Sequence, residues 1–182
     1  MKKLLFSALV VLMGMTAHAQ FSKASLTASG LTCSMCSKAV KTALDGVPFI
    51  EKVQVNIKTQ EYNLSFREGM FVDFDALSRA VEDAGFSVAA LKVTATMDAV
   101  TPKKDQHIKI GSQYFHFLNG ASKPLAGETS FNIVDKSFVS EKDYKKWSAA
   151  TKMECVKTGK AAACCMKEDA AAADTRIYHV VI

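Results

Sequence analysis

The sequence predicts a protein of the α+β class, and two observations lead to that prediction. Over residues 20–100, segments with alternating apolar residues are interrupted twice by segments with helical periodicity, in the order βαββαβ. Over residues 101–182, alternating segments dominate, and a short polar breaker at 101–105 marks the change of pattern. Two helices on one face of a four-stranded antiparallel sheet form a ferredoxin-like fold. We therefore expect a ferredoxin-like domain at 20–100 and a small, mostly β-stranded domain at 101–182.

The first nineteen residues have the pattern of an export signal. Lys2 and Lys3 form a basic start, residues 4–15 form an apolar core, and Ala17 and Ala19 form a small-x-small cleavage site. The apolar run is too short to span a bilayer, and no later segment is apolar enough to do so. The sequence therefore predicts cleavage after Ala19, a periplasmic or secreted product, and no stable insertion into a membrane.

The charge of the chain argues against a polyanionic partner. The whole sequence has 23 basic and 18 acidic residues and a net charge of +5. Removal of the signal takes away two lysines, so that 21 basic residues face 18 acidic ones and the net charge falls to +3. In the second half the basic residues are dispersed among acidic ones, which is typical of a solvated surface. We therefore expect no nucleic-acid partner.

The elements of the first domain are predicted in order from their patterning. Alternation predicts strands at 24–30, 53–57 and 62–66, and a final strand that begins at Phe86. The apolar stripes of the two helices are Val40, Ala43, Leu44 and Val47 in the first, and Phe74, Leu77, Val81 and Ala84 in the second. Asp73 is placed to cap the second helix, and Gly85 to end it.

Two cysteines lie between the first strand and the first helix. We expect Cys33 in the loop and Cys36 in the first helical turn, so that both sulfurs can converge on one soft ion. The first turn of a helix has unpaired backbone N–H groups and the positive end of the helix dipole. A thiol placed there loses its proton more easily, and the thiolate is the form that binds metals or attacks disulfides.

The residues around these thiols resemble a known family. The motif Gly30-Leu31-Thr32-Cys33-x-x-Cys36, followed by Ala39-Val40 and later by Ala84-Gly85-Phe86, resembles the heavy-metal-associated domain. That family includes copper chaperones, N-terminal modules of metal-pumping ATPases and periplasmic mercury-binding proteins. The resemblance covers about residues 24–93 and implies that Cys33 and Cys36 are the metal ligands. It also implies a partner that is a metal-transporting membrane protein or another metallochaperone.

The sequence departs from the family pattern at two positions. Leu31 stands where the family usually has Met, at a buried packing position, so we expect the exchange to be mild. Phe86 stands where bacterial copper chaperones often carry a Tyr near the metal loop. No hydroxyl is therefore expected from that position to tune the thiolates.

The ligand chemistry favours Cu(I), with Ag(I) and Hg(II) as chemical equivalents. Two thiolates without a third hard ligand suit a soft ion in near-linear geometry. Zn(II) is the weaker candidate because it prefers four ligands, and because zinc-binding members of the resembled family tend to have Asp where this chain has Thr32. The hypothesis is an exported protein, not an enzyme, that binds Cu(I) and transfers it to a partner by thiolate exchange.

Three other interpretations of the same motif stay open. Cys33 and Cys36 can form an inert disulfide in an oxidising compartment. They can also act as a thiol–disulfide oxidoreductase with Cys33 as nucleophile, although Ser34-Met35 does not match the usual redox loop. In the third interpretation the chain is a structural adaptor in which metal only orders the loop.

The sequence of residues 101–182 predicts a β-rich domain that contains one helix. Strands are predicted at 107–111, 114–118, 131–133, 153–157 and 176–182, with a hairpin turn at Asn119-Gly120. A capping box from Ser140 to Asp143 predicts the start of a helix. The resulting order, βββαββ, fits a small five-stranded barrel of the OB type.

A second group of soft donors lies near the C-terminus. Cys155, Cys164 and Cys165 lie close in sequence to Met153 and Met166. Three interpretations stay open: one disulfide, from Cys155 to Cys164 or Cys165, a second soft-metal site, or unrelated free thiols. The histidines of this domain each lie on a predicted strand without a ligand-spaced partner, so they are not assigned to a site; they are His107, His116 and His179.

Overall fold

A computed structural model describes residues 21–162, 165 and 171–182. The predicted export signal and Cys164 lie outside these residues. The strands are β1 (Phe21–Ser29), β2 (Ile50–Asn56), β3 (Glu61–Phe66), β4 (Ser87–Val100), β5 (Gln106–Ile110), β6 (Gln113–Phe117), β7 (Leu125–Ile133) and β8 (Ile177–Val181). The helices are α1 (Ser34–Asp45), α2 (Phe74–Asp83), α3 (Glu141–Ser148) and α4 (Cys155–Thr158). None of the helices in the described ranges is both long and apolar enough to cross a membrane.

The first half of the chain has the predicted βαββαβ order. β2, β3, β1 and β4 lie side by side in that order, and each neighbouring pair is antiparallel. The prediction of an α+β fold is confirmed. Apolar residues at every second position account for the strands, since alternate side chains of β1 are buried.

The sheet continues from the first half of the chain into the second. β4 pairs with β1 on one side and with β7 on the other, and its register sets Leu91 opposite Ile133. The described strands thus form one sheet in the order β2-β3-β1-β4-β7-β8-β6-β5. The predicted boundary at 101–105 falls on the connection between β4 and β5. The division into two domains at that point stays a prediction.

The C-terminal half differs from the predicted barrel. The described sheet is open, with β2 at one edge and β5 at the other. The segment predicted as a strand at 153–157 contains helix α4, which ends at Gly159 with a left-handed backbone (φ 69°). Alternation over five residues is too short to separate a strand from one helical turn. The strand prediction at 153–157 was therefore wrong because the segment is too short for its periodicity to identify the element.

The hairpin of the second half also lies elsewhere than predicted. β5 and β6 are joined by a turn at Gly111 and Ser112, and Gly111 has a positive φ of 61°. Asn119 instead exchanges two hydrogen bonds with the backbone of Ile182, at 3.0 and 3.2 Å. The strand next to β6 on its other side is β8, which runs parallel to β6 and separates it from β7.

One face of the sheet is packed by α2 across both halves of the chain. The ring of Phe74 on α2 meets Phe21 of β1 edge-on, with ring centroids 5.0 Å apart, and Tyr178 of β8 at 5.2 Å. Burial of one large apolar side chain contributes roughly 1.5–3 kcal/mol. An edge-to-face ring pair adds about 0.5–1.5 kcal/mol. These contacts hold the C-terminal strand against a helix of the N-terminal half.

An ion-pair network supports the same contact. Arg176 donates from Nε and Nη2 to both oxygens of Asp75 on α2, at 2.8 and 2.9 Å, and from Nη2 to Asp135 at 3.2 Å. Tyr178 donates its hydroxyl to Asp75 at 3.3 Å. Burial opposes ionisation of Asp75, but hydrogen bonds and charge from Arg176 outweigh it and lower the pKa of this carboxyl. The bidentate pair therefore ties α2 to β8.

The opposite face of the second half carries a smaller apolar cluster. Its buried members, which we call the back cluster, are Cys155, Ala161, Cys165, Ala171 and Ile177. Along β8, Ile177 belongs to the back cluster, whereas Tyr178 and Val180 belong to the main core. Neighbouring residues of a strand point to opposite faces. The segment that contains α4 therefore covers the face of the sheet that α2 leaves open.

Candidate metal centre

The structure brings Cys33 and Cys36 together at the start of α1. Cys33 precedes the helix with an extended backbone (φ −152°), and Cys36 lies in the first turn. Their Sγ atoms are 3.0 Å apart. Cys33 is exposed and Cys36 is half-buried. Both sulfurs can therefore reach a single ion that arrives from solvent.

Local hydrogen bonding lowers the pKa of the Cys36 thiol. A hydrogen bond from the Cys33 thiol and a second from the backbone of Thr32 lower the pKa of Cys36, and they outweigh the opposing effect of desolvation. The hydroxyl of Thr32 also lies 3.9 Å from the Cys36 sulfur. The sequence pattern did not identify Thr32 as a partner of the thiols. A lowered pKa favours the thiolate, which is the metal-binding form.

Hydrogen bonds from β3 and the preceding turn fix the backbone on both sides of Cys33 and Cys36. Gly30 has a φ of 84°, which favours glycine, and a Cβ at this position would lie 3.8 Å from the Phe86 ring. Gln60 donates from Nε2 to the carbonyl of Leu31 at 3.0 Å, and the Leu31 side chain is buried. Tyr62 donates its buried hydroxyl to the carbonyl of Ser37 at 3.2 Å. Backbone and side-chain contacts thus fix both ends of the cysteine motif.

Cys33 and Cys36 form a two-sulfur group in the described part of the chain. In the described part of the chain, no third His, Cys, Asp or Glu completes a metal-holding group with Cys33 and Cys36. The intervening Met35 has a side chain that is 70% exposed. The arrangement can hold an ion that accepts two sulfur ligands and leaves it open to a further one.

The second predicted group is partly brought together, with additions that the sequence did not indicate. Cys155 and Cys165 are both fully buried in the back cluster. The Cys155 sulfur lies 3.5 Å from Nδ1 of His116 and 3.7 Å from Nε2 of His107. The strand register is the missing signal, since His107 lies directly opposite His116 in the β5–β6 pair.

His116 is held in the neutral form at ordinary pH. Burial, followed by the proximity of His179 and His107, lowers the pKa of His116 to about 3, although Asp105 opposes this shift. A neutral imidazole keeps a lone pair on one ring nitrogen. His116 can therefore act as a nitrogen ligand.

Comparison with known proteins identifies the N-terminal region. A family model described as the heavy-metal-associated domain matches residues 25–87. The mercuric transport protein periplasmic component of Serratia marcescens is 32% identical over 92 residues, which are 50% of this chain and 100% of the relative. A probable copper-exporting P-type ATPase of Archaeoglobus fulgidus is 37% identical over 60 residues. That match spans 33% of this chain but only 7% of the ATPase.

The comparison with solved structures matches part of this chain to metal-binding proteins. The CopZ metallochaperone shares 25% identity with a TM-score of 0.34, over 37% of this chain and all of the other. Oxidized MerP from Ralstonia metallidurans CH34 shares 31% identity with a TM-score of 0.34, over 38% of this chain and 97% of the other. On the strength of the family match and the full-length similarity to the Serratia protein, the chain belongs to the heavy-metal-associated domain family.

Proposed function

We propose that this chain is an exported soft-metal-binding protein. It holds Cu(I), or the chemically similar Ag(I) or Hg(II), between Cys33 and Cys36. It then passes the ion to a partner by exchange of thiolate ligands.

The proposal is carried by the exposed pair of sulfurs 3.0 Å apart at the start of α1. Two thiolates suit a soft ion, whereas Zn(II) in a closed site requires four ligands. A near-linear ion with metal–sulfur bonds of about 2.3 Å needs sulfurs up to about 4.6 Å apart. Rotation of the exposed Cys33 side chain supplies that separation without moving α1.

Transfer follows from the exposure of the site. A thiolate of the partner forms a third bond to the ion, and the bond to Cys33 then breaks. A second thiolate of the partner replaces Cys36 in the same way. No electron is transferred, and each sulfur that leaves the ion remains a thiolate or takes up a proton from water. Cys33 is the first to leave because it is the more exposed of the two.

The relatives support the choice of partner and compartment. The similar proteins include a copper-exporting ATPase and a periplasmic component of mercuric transport. A metal-transporting membrane protein or a second metallochaperone is therefore the proposed partner. Export is supported by the Lys2-Lys3 start, the apolar core and the Ala17-x-Ala19 cleavage site.

The test is an anaerobic competition titration of the reduced chain from residue 20 with limiting Cu(I) and a chromogenic chelator. The wild-type chain should keep copper against the chelator. Cys33→Ser or Cys36→Ser should weaken binding by more than the roughly 10–100-fold that outer-sphere changes cost. Met35→Leu is the matched control, because it removes the thioether between the thiols and should leave the affinity unchanged.

Two outcomes would contradict the proposal. The first is copper retention that depends on neither Cys33 nor Cys36 in a chain that also carries Cys155→Ser, so that the buried thiol cannot contribute. The second is a chain that binds no copper and instead reduces or isomerises a scrambled disulfide substrate, which would establish the oxidoreductase interpretation.

A further inference from the structure

Three histidines form a row across adjacent strands of the second half. The register sets His107 of β5 opposite His116 of β6, and His116 opposite His179 of β8. All three side chains are buried. The rings of His107 and His116 are stacked with centroids 4.4 Å apart, and His179 meets His116 edge-on at 5.1 Å. Strand pairing thus lines up imidazoles that are far apart in sequence.

Helix α4 brings a thiol onto this row. Cys155 is fully buried, and its Sγ lies between Nε2 of His107 and Nδ1 of His116 at 3.7 and 3.5 Å. The three donor atoms all lie within 4.8 Å of one another. Two nitrogens and one sulfur at this spacing can share one metal ion after small side-chain adjustments.

Two of the three imidazoles contact a carboxylate through one ring nitrogen. Nε2 of His116 lies 3.3 Å from Asp105, and Nδ1 of His179 lies 2.6 Å from Asp135. An imidazole that donates its N–H to a carboxylate turns the lone pair of its other nitrogen the opposite way. For His116 that other nitrogen is Nδ1, which faces the Cys155 sulfur. This is the outer-sphere arrangement that orients metal-binding histidines.

A buried ring nitrogen of the neighbouring His179 is a second observation at this place in the fold. Nε2 of His179 has no hydrogen-bond partner among the residues that the structure describes. The ring itself is fully buried, and Asp135 fixes it from the other side. A buried polar atom without a partner is costly unless a ligand compensates for it. This nitrogen adjoins the group through the contact of the His179 ring with the His116 ring.

We propose that His107, His116 and Cys155 form a second, buried metal site for a borderline-soft transition-metal ion, either Zn(II) or copper. Imidazole and thiolate together suit these ions. His179 adjoins the site through its ring contact with His116, at 5.1 Å between centroids. The site is independent of Cys33 and Cys36, and its burial makes it a site for a retained ion rather than for one in transit.

The first test uses the chain from residue 20 with Cys33→Ser and Cys36→Ser, so that the exposed pair cannot contribute. The reduced, chelator-stripped protein is mixed separately with Zn(II), Co(II) and Cu(II), and then desalted. One ion per chain should remain. Co(II) should give visible d–d bands with thiolate charge transfer, and Cu(II) an intense thiolate-to-copper band if copper is the fitting metal. The unfolding temperature of the chain should rise with the concentration of free metal in the solution.

Variants in the same background assign the ligands. His116→Gln and Cys155→Ser should abolish retention and the thiolate bands, and Asp105→Asn should weaken the affinity about 10–100-fold as a positioning residue. Ile177→Val is the matched control, because it lies in the back cluster without a donor atom and should keep the ion. Circular dichroism verifies that each variant is folded.

The proposal is overturned if the folded Cys33→Ser/Cys36→Ser chain retains no metal, a result that needs no variant at the buried site. Retention that survives both His116→Gln and Cys155→Ser overturns it equally. A disulfide at Cys155 in the reduced chain treated with Zn(II), which is not an oxidant, would do the same. None of these results depends on whether Cys33 and Cys36 carry Cu(I).

Discussion

At the scale of single residues, the chemistry of the exposed site depends on where α1 begins. Cys33 precedes the helix and Cys36 lies in its first turn, so one thiol can donate a hydrogen bond to the other. The position of both residues follows from the local pattern of strand, Gly30 and helix, which is why the sequence predicts it. The contact with Thr32 depends on rotamers and could not be read from spacing.

The donor role of Cys33 gives a prediction about reactivity. Cys33→Ser keeps a donor toward the Cys36 sulfur, whereas Cys33→Ala removes it. The pKa of Cys36 should therefore be lower in the serine variant than in the alanine variant, and further below the roughly 8.5 of an ordinary thiol. The pH dependence of Cys36 alkylation, followed by mass spectrometry, measures this difference. Identical profiles in the two variants would show that the hydrogen bond has no influence.

At the scale of elements, local signals predict the three longer helices well, but they predict strand partners poorly. The capping predictions are confirmed: Asp73 accepts from the backbone N–H of Ala76, and Ser140 from that of Asp143. The parallel pairing of β6 with β8 joins residues more than sixty positions apart, so no local pattern could indicate it. The contact of His116 with His179 was missed for this reason. His107 and His116 meet across the β5–β6 hairpin, whose turn lies at Gly111 and not at the predicted Asn119-Gly120.

The cap of α2 gives a stability prediction. Asp73→Ala removes the acceptor of the Ala76 N–H and should lower the free energy of unfolding by about 1 kcal/mol. Asp73 also pairs with the exposed Arg79 at 2.8 Å. Arg79→Ala separates the two effects, since an exposed ion pair contributes about 0–1 kcal/mol. Urea unfolding measures both variants, and an Asp73→Ala change no larger than that of Arg79→Ala would contradict the capping argument.

At the scale of the whole molecule, the two halves are connected by more than the chain. β4 continues the sheet from one half into the other, and α2 packs against β8 through Phe74 and Tyr178. The ion pair of Asp75 on α2 with Arg176, which directly precedes β8, stabilises the same contact. Composition and periodicity separate the halves, whereas these contacts between distant residues join them, so the sequence alone could not show the shared sheet.

The Asp75–Arg176 pair predicts a pH-dependent stability. Because the pKa of Asp75 is lowered in the folded chain, its contribution is fully present above the unfolded value of about 3.9 and is lost as the pH falls through the folded value. Asp75→Asn should cost about 2 kcal/mol at pH 7, within the range for hydrogen bonds to charged groups. The difference between wild type and variant should shrink below about pH 4. Urea unfolding at several pH values measures it, and a constant difference down to pH 2 would contradict this account.

The most direct test of the central claim is X-ray absorption at the copper edge of the reduced chain loaded with one equivalent of Cu(I). The account predicts a copper ion surrounded by two sulfur atoms in the wild-type chain, and loss of that signal in the Cys33→Ser/Cys36→Ser chain. A first shell of imidazole nitrogens in the wild type, or the same sulfur signal in the double variant, would contradict it.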